Sequence, residues 1–279
     1  INKIERHYNG FCFDGIQKVY CPFSILNFFE SGEFLNFWMR SGSTKLIADY
    51  MRGRSLTVEQ FRGMPVSLNF AHDPGEIESA PPESFLYQAG YLTLRDRTGD
   101  GFSLDYPNAE VLESMSELVY KNMINHNGEF VDLRTPLVTA LVNGKSDLVV
   151  ETINRLLSGI PYDDYVKAAQ QAIAISDAKI TTQEWLYRST ILAFLRGCGV
   201  LAFGEMHGHK GRTDLLIIHN GVPWVLEIKV AKNNDCEAQA EEAMKQINDR
   251  QYDGLYKNAK KLAIAIDEPE RKIGKWIAA

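Results

Sequence analysis

Asn220-Gly221 lies between two segments that are rich in β-forming residues, 212–218 and 223–230. A two-residue type I′ turn needs positive φ at both central positions, and Asn-Gly is a pair that adopts this conformation readily. The sequence therefore predicts a β-hairpin at this place. Because the turn has two residues, it also fixes which residues of the two strands lie opposite each other.

Two acidic residues face each other in this predicted hairpin. Counting outward from the turn, Asp214 lies opposite Glu227 at a position where side chains approach most closely. Lys229 follows two residues later and shares the face of Glu227. Adjacent carboxylates repel each other, and a divalent cation such as Mg²⁺ or Mn²⁺ would offset that cost. The lysine would then stabilise phosphate charge or orient a water, although a surface ion cluster explains the same spacing.

The sequence around the hairpin predicts an α/β (α+β) domain over residues 178–279. Apolar periodicity indicates a helix over 182–196, which Gly197 ends, and a strand over 200–206. A second helix and two further strands follow the hairpin. We therefore expect a mixed sheet flanked by helices.

The first 177 residues are predicted to be mostly helical. Residues 1–70 indicate short helices and loops that are rich in aromatic side chains. A helix over 84–89, two short strands and a helix that begins at Asn108 have the order of a winged-helix element. No basic recognition helix accompanies them, which favours a packing role over the reading of a DNA groove.

Composition excludes several classes of protein. The four cysteines form no CxxC pair, which argues against a disulfide framework or a zinc ribbon and favours a cytoplasmic location. No apolar run reaches the length of a membrane helix and no secretory leader opens the sequence, so no membrane partner is expected. Neither a phosphate-loop motif nor a GxGxxG fingerprint is present, so nucleotide binding by these routes is not expected.

The charge is unevenly distributed along the chain. The formal net charge is −6, yet residues 178–279 contain 15 basic and 13 acidic residues. Six basic residues cluster near the end of the sequence: Lys257, Lys260, Lys261, Arg271, Lys272 and Lys275. An ordinary solvated face is the favoured interpretation of such a cluster, and a surface that contacts nucleic-acid phosphates is the alternative.

Asp214 followed by Glu227 and Lys229 resembles the Asp…Glu-x-Lys signature of the PD-(D/E)XK nuclease superfamily. Residues 184–187 resemble the Glu-x-x-Tyr of its first core helix, although Arg188 stands where a histidine often follows.

Two further elements match in order. Glu205 resembles the acidic end of the first strand, and residues 242–247 resemble the helix that carries an auxiliary glutamine.

The resemblance extends upstream to a bacterial family in which an AAA-ATPase-like domain precedes the nuclease domain. Residues 8–10 and 19–27 look like the closing portion of that domain, and residues 85–92 and 104–108 look like the segment that joins it to the nuclease. The implied domains are 1–75 (end of the ATPase-like domain), 76–177 (helical linker region with the winged-helix-like hairpin) and 178–279 (nuclease domain). An ATPase-like half is therefore expected upstream of residue 1.

The resemblance implies a metal-dependent nuclease that hydrolyses phosphodiester bonds, with DNA favoured over RNA as the nucleic-acid partner. Asp214, Glu227 and Glu205 would hold Mg²⁺ or Mn²⁺, and Lys229 would assist the attacking water. The implied catalytic residues are Asp214, Glu227, Lys229, Gln246 and Glu184. The alternative is a catalytically idle nuclease fold that serves as a protein-interaction or nucleic-acid-binding module.

Overall fold

The structure is a computed structural model, which describes residues 2–40, 43–52, 54, 56–71, 77, 79–123, 129–160, 181–208, 211–232, 235–249 and 258–279. The chain divides into two compact units, Ile1–Asn122 and Met123–Ala279. Helices and sheets are both present, and the second unit contains a mixed five-stranded sheet with helices. The predicted α/β class is therefore confirmed, whereas the domain boundaries at residues 75 and 177 stay predictions.

The first unit combines short helices with two small sheets. Its helices and strands are α1 (Lys3–Tyr8), β1 (Asn9–Cys12), β2 (Lys18–Tyr20), α2 (Pro22–Ser31), α3 (Ser43–Met51), β3 (Met64–Ser67), α4 (Pro82–Gln88), β4 (Thr93–Thr98), β5 (Gly101–Asp105) and α5 (Ala109–Met123). β1 pairs with β2, and β3 pairs with β5 to give a sheet of order β3-β5-β4. The expectation of helices and loops alone over residues 1–70 is therefore wrong for β1, β2 and β3.

The predicted order of helix, hairpin and helix is confirmed in this unit. α4 precedes the β4–β5 hairpin, and α5 begins after Asn108, whose Oδ1 accepts a hydrogen bond from the N–H three residues later at 3.0 Å. In the first turn of α5, the buried Glu110 accepts hydrogen bonds from the backbone N–H groups of Phe37 and Trp38 at 2.7 and 2.9 Å. These bonds attach the preceding segment of chain to α5.

The second unit contains the sheet that the hairpin was predicted to join. Its helices and strands are α6 (Glu129–Val142), α7 (Ser146–Ser158), α8 (Thr182–Gly197), β6 (Leu201–Gly208), β7 (Gly211–His219), β8 (Val222–Ala231), α9 (Cys236–Asp249), β9 (Lys260–Asp267) and β10 (Lys272–Ala278). The strand order is β10-β9-β8-β7-β6. All neighbours are antiparallel except β8 and β9, which are parallel and are connected through α9.

The centre of this sheet is apolar and closed to water. Residues 224–228 of β8 and 262–266 of β9 are all buried. Trp224 is fully buried, and its Nε1 donates a hydrogen bond to the carbonyl oxygen of Leu141 in α6 at 3.1 Å. Glu227 lies within this buried stretch of β8. Because burying a carboxylate without partners is costly, its position requires compensating contacts.

None of the helices within the described ranges combines the length and the apolar character that crossing a membrane requires.

Candidate active site

The hairpin has the register that the turn predicts. Asn220 and Gly221 have φ values of 47° and 80°, as a type I′ turn needs. The strand pairs run outward from His219 opposite Val222 to Leu215 opposite Leu226. Asp214 and Glu227 are the next residues along the two strands. The predicted register is therefore confirmed as far as Leu215 and Leu226, the neighbours of these two acidic residues.

Hydrogen bonds from backbone N–H groups to the two carboxylates connect Asp214 with Glu227 and its neighbour Ile228. The Asp214 N–H donates to Oε2 of Glu227 at 3.4 Å, and the Ile228 N–H donates to Oδ2 of Asp214 at 2.8 Å. Both side chains are buried, with exposed fractions of 9% for Asp214 and 1% for Glu227. The fold therefore brings two carboxylates together away from water, as expected for residues opposite each other in this hairpin.

Gln246 in α9 reaches the same pair of residues. Its side-chain amide donates a hydrogen bond to Oε1 of Glu227. Both oxygens of Glu227 therefore accept a hydrogen bond, one from the amide and one from the backbone of Asp214. These contacts hold the carboxylate in one orientation and reduce the cost of burying it.

The first helix of the domain contributes an arginine that the sequence interpretation did not place in the site. Nη1 of Arg188 lies 3.2 Å from Oδ1 of Asp214, and the two side chains are only 11% and 12% exposed. Arg188 follows Glu184 by four residues in α8, so the two share one face of the helix. The family resemblance already implies that Glu184 is a site residue, and this helix face is therefore expected at the site. The four-residue spacing from Glu184 is the sequence signal that could have identified Arg188.

Glu184 lies in the electrostatic field of the same cluster. Burial raises the pKa of Glu184 above its usual 4.5, and the charge of Asp214 raises this pKa further. The positive charges of Lys229 and Arg188 lower the pKa and oppose these effects. Thr181 caps α8 and accepts a hydrogen bond from the Glu184 N–H at 3.2 Å, which fixes the first turn of the helix.

The raised pKa of Glu184 predicts a specific dependence of stability on pH. The folded chain binds the Glu184 proton more tightly than the unfolded chain, so this contribution to stability is complete below pH 4.5 and is lost as the pH rises through the native pKa. We expect Glu184→Gln, which has no such proton, to gain in melting temperature relative to wild type as the pH rises.

Thermal unfolding in the presence of a chelator, from about pH 4 to about pH 8, measures this difference. Glu237→Gln is the control, because Lys275 lowers the pKa of Glu237. Its difference from wild type should be small and of opposite sense. A difference for Glu184→Gln that does not vary with pH would contradict the prediction.

The two remaining predicted residues are Lys229 in β8 and Glu205 in β6. Lys229 is half-buried in β8, two residues after Glu227. In β6, Gly204 pairs with Leu215 and Met206 pairs with Thr213, which places Glu205 at the register position opposite Asp214. The side chain of Glu205 lies outside the described part of the structure, so its predicted role as a metal ligand stays a prediction.

The charges of the cluster fit a divalent cation. Three carboxylates, those of Glu184, Asp214 and Glu227, lie with two cationic side chains, Arg188 and Lys229, so one negative charge is uncompensated when all are ionised. Asp214 and Glu227 supply adjacent oxygen donors of the type that Mg²⁺ and Mn²⁺ prefer. Among the described side chains, no group of three His, Cys, Asp or Glu residues is arranged to hold a metal ion. A complete ligand set would therefore need a further donor beyond these two.

The late basic cluster is partly neutralised by acidic neighbours. Lys272 lies 3.3 Å from Glu270, and Lys275 lies 2.7 Å from Glu237, all at the surface. Lys261 donates a hydrogen bond to Asn248 at 3.0 Å. Lys257, which belongs to the cluster in the sequence, lies outside the described residues. These pairs weaken the case for a continuous phosphate-binding surface.

Comparison with known proteins supports the assignment of the C-terminal region. A protein from Azotobacter chroococcum mcd 1, described as an uncharacterized protein in the vnfD 5′ region, is 25% identical over 263 residues. The alignment covers 92% of this chain but 47% of that relative, so the chain spans about half of the relative's length. No solved structure shows a significant match. Residues 182–276 match the family model described as PD-(D/E)XK nuclease superfamily, and the C-terminal region therefore contains a domain of that superfamily.

Proposed function

We propose that this protein is a metal-dependent nuclease that hydrolyses phosphodiester bonds, and that Asp214, Glu227 and Lys229 form the centre of its active site. The observation that carries the proposal is the buried pair of carboxylates in the β7–β8 hairpin, with Lys229 on the same strand face as Glu227. The match of residues 182–276 to the nuclease superfamily supports the same reaction class.

Each residue of the cluster has a proposed role. Asp214 and Glu227 would hold Mg²⁺ or Mn²⁺, with Glu205 as the proposed additional ligand. A bound cation of this kind polarises a phosphoryl oxygen and lowers the pKa of a coordinated water. Lys229 would supply a compact positive charge for the phosphate oxygen on which negative charge develops.

Gln246 and Glu184 act around this centre in the proposal. Gln246 orients Glu227 through the hydrogen bond to Oε1, which keeps Oε2 directed towards Asp214. Glu184 has a raised pKa, which would let it hold a proton at a higher pH than an exposed glutamate does. It would therefore adjust the charge of the cluster.

DNA is the proposed substrate, and an ATPase-like domain upstream is the proposed partner of the nuclease domain. Both rest on the family resemblance of the sequence. The chain spans about half of its Azotobacter relative, which leaves room for a further domain in a longer protein of this type.

One observation favours a second candidate function. The Arg188 guanidinium already pairs with Asp214, and it compensates part of the buried negative charge without a metal. A catalytically idle nuclease fold that binds nucleic acid or another protein could keep its carboxylates in this way.

Metal-dependent cleavage distinguishes the two candidates. Wild-type chain is incubated with single- and double-stranded DNA and with RNA, in Mg²⁺, in Mn²⁺ and in chelator. We expect cleavage only with a divalent cation, together with a rise in melting temperature on adding the cation. Binding of nucleic acid without cleavage, and a melting temperature that the cation does not change, would favour the idle fold.

A further inference from the structure

Arg188 contacts one carboxylate oxygen of Asp214, the residue that is proposed to bind the cation. Its Nη1 lies 3.2 Å from Oδ1, while Oδ2 accepts the hydrogen bond from the Ile228 N–H. The side chains of both Arg188 and Asp214 are almost fully shielded from water. At such a place the effective dielectric constant is low, and charges interact more strongly than they do at a surface.

The same geometry makes two cations at Asp214 unfavourable. A divalent ion that ligates Asp214 and the guanidinium that pairs with it would be neighbours of like charge in this buried space. Lys229, also positive, lies in the same field, since it acts electrostatically on Glu184 together with Arg188. Occupation of Asp214 by a metal and its pairing with Arg188 therefore oppose each other.

We infer that Arg188 is a built-in competitor of the divalent cation: it neutralises Asp214 in the metal-free chain and weakens the affinity of the site for the metal. The inference rests on the proposed function only in that Asp214 must be a metal ligand. Linkage requires the effect to be reciprocal, so bound metal weakens the ion pair by the same factor as the ion pair weakens metal binding.

Removal of a competing arginine and removal of a purely structural arginine change metal affinity in different directions. An arginine that only supports the site would, when removed, loosen the ligands and weaken metal binding. A competing arginine, when removed, leaves the metal-free chain less stable because Asp214 is buried without its partner, yet tightens metal binding. The two roles thus predict opposite changes in the dissociation constant.

Two measurements on the full chain test whether Arg188 competes with the cation. Titration calorimetry gives the Kd for Mn²⁺, and thermal unfolding gives the melting temperature with and without the ion. Arg188→Met keeps the length and apolar part of the side chain and removes its charge. We expect its Kd for Mn²⁺ to be lower than that of wild type by on the order of tenfold. Its melting temperature should be lower than that of wild type in chelator, and the rise on adding Mn²⁺ should be larger. Arg188→Lys, which keeps a charge, should give a Kd between the two.

Arg196→Met is the matched control. Arg196 lies two turns further along α8, is also buried, and donates from Nε to the carbonyl oxygen of Ala202 at 2.8 Å. Its replacement should lower the melting temperature and leave the Kd for Mn²⁺ unchanged. A Kd for Arg188→Met equal to or higher than that of wild type overturns the inference and leaves the proposed function standing. If wild type, Arg188→Met and Asp214→Asn all fail to bind Mn²⁺, the metal site and the inference are both overturned.

A measurement on wild type decides the matter if Arg188→Met does not fold. The Nε–H signal of Arg188 in a nitrogen-15 NMR spectrum should shift on saturation with Mg²⁺, because the ion weakens the contact with Asp214. The Nε–H signal of Arg196 should stay in place. An unchanged Arg188 signal in a chain that binds Mg²⁺ overturns the inference.

Discussion

Lys229→Met is expected to lower nucleic-acid cleavage by about a hundredfold or more while the chain still folds and binds metal, because this is the scale of losing one group that stabilises the transition state. Methionine keeps an unbranched stem on the β8 face and removes the positive charge. The carboxylates of Asp214 and Glu227 are unaltered, so calorimetry should detect Mn²⁺ binding in the variant. The loss should therefore appear in kcat and little in metal affinity.

Lys232→Met provides the comparison for this substitution. Lys232 follows β8 and is exposed, so its charge lies outside the buried cluster. Cleavage by this variant should stay close to that of wild type. Equal losses in both variants would point to general weakening of nucleic-acid binding, and an active Lys229→Met would exclude Lys229 from the chemistry.

Asp214→Asn is expected to abolish the metal-dependent rise in melting temperature and to lower cleavage by about a thousandfold or more, as removal of a catalytic group does. The amide retains an oxygen that can accept the hydrogen bond from the Ile228 N–H, so the shape of the strand is preserved. What is lost is the negative charge that attracts the cation and pairs with Arg188. Metal binding and activity should therefore disappear together.

Asp235→Asn serves as the control for this loss. Asp235 is an exposed carboxylate just before α9, and it is not part of the cluster. This variant should bind Mn²⁺ and cleave as wild type does. Retention of a metal-induced rise in melting temperature by Asp214→Asn would show that the cation binds elsewhere.

Local signals explain the parts of the fold that could be predicted from sequence. The Asn220-Gly221 turn determines the register of the hairpin, because two residues with positive φ permit one geometry. Helix α8 follows the apolar periodicity of residues 182–196 and ends at Gly197, and these signals lie within the helix itself. Each of these predictions depends on residues that are near neighbours in the chain.

Non-local contacts account for what the sequence did not predict. β3 is a four-residue segment that contains Pro65, and it becomes a strand only by pairing with β5, far along the chain. β1 has four residues and β2 has three, and all of β2 is exposed. Strands this short do not show a recognisable alternation of hydrophobic and polar residues. Such strands depend on partners that a local pattern does not identify.

The candidate site also combines a feature set by local sequence with one set by non-local contacts. The pairing of Asp214 with Glu227 follows from the turn, whereas the contact of Arg188 with Asp214 depends on how α8 packs on the sheet. In the sequence, Arg188 stands out as a departure from a histidine that often stands there, and it lies four residues after Glu184. Its proximity to a buried carboxylate is a property of the folded chain.

The parallel pairing of β8 with β9 determines when the site is completed during synthesis. Glu227 and Lys229 are translated well before Ala263 and Ala265, their neighbours on β9. Until β9 has left the ribosome, one edge of β8 has no strand beside it, and the carboxylates lie in a hairpin that is still open to water on that side. Domains fold as units once their chain is available, so the cluster reaches its final form late. The proposed nuclease site would therefore be assembled only after β9 has been synthesised.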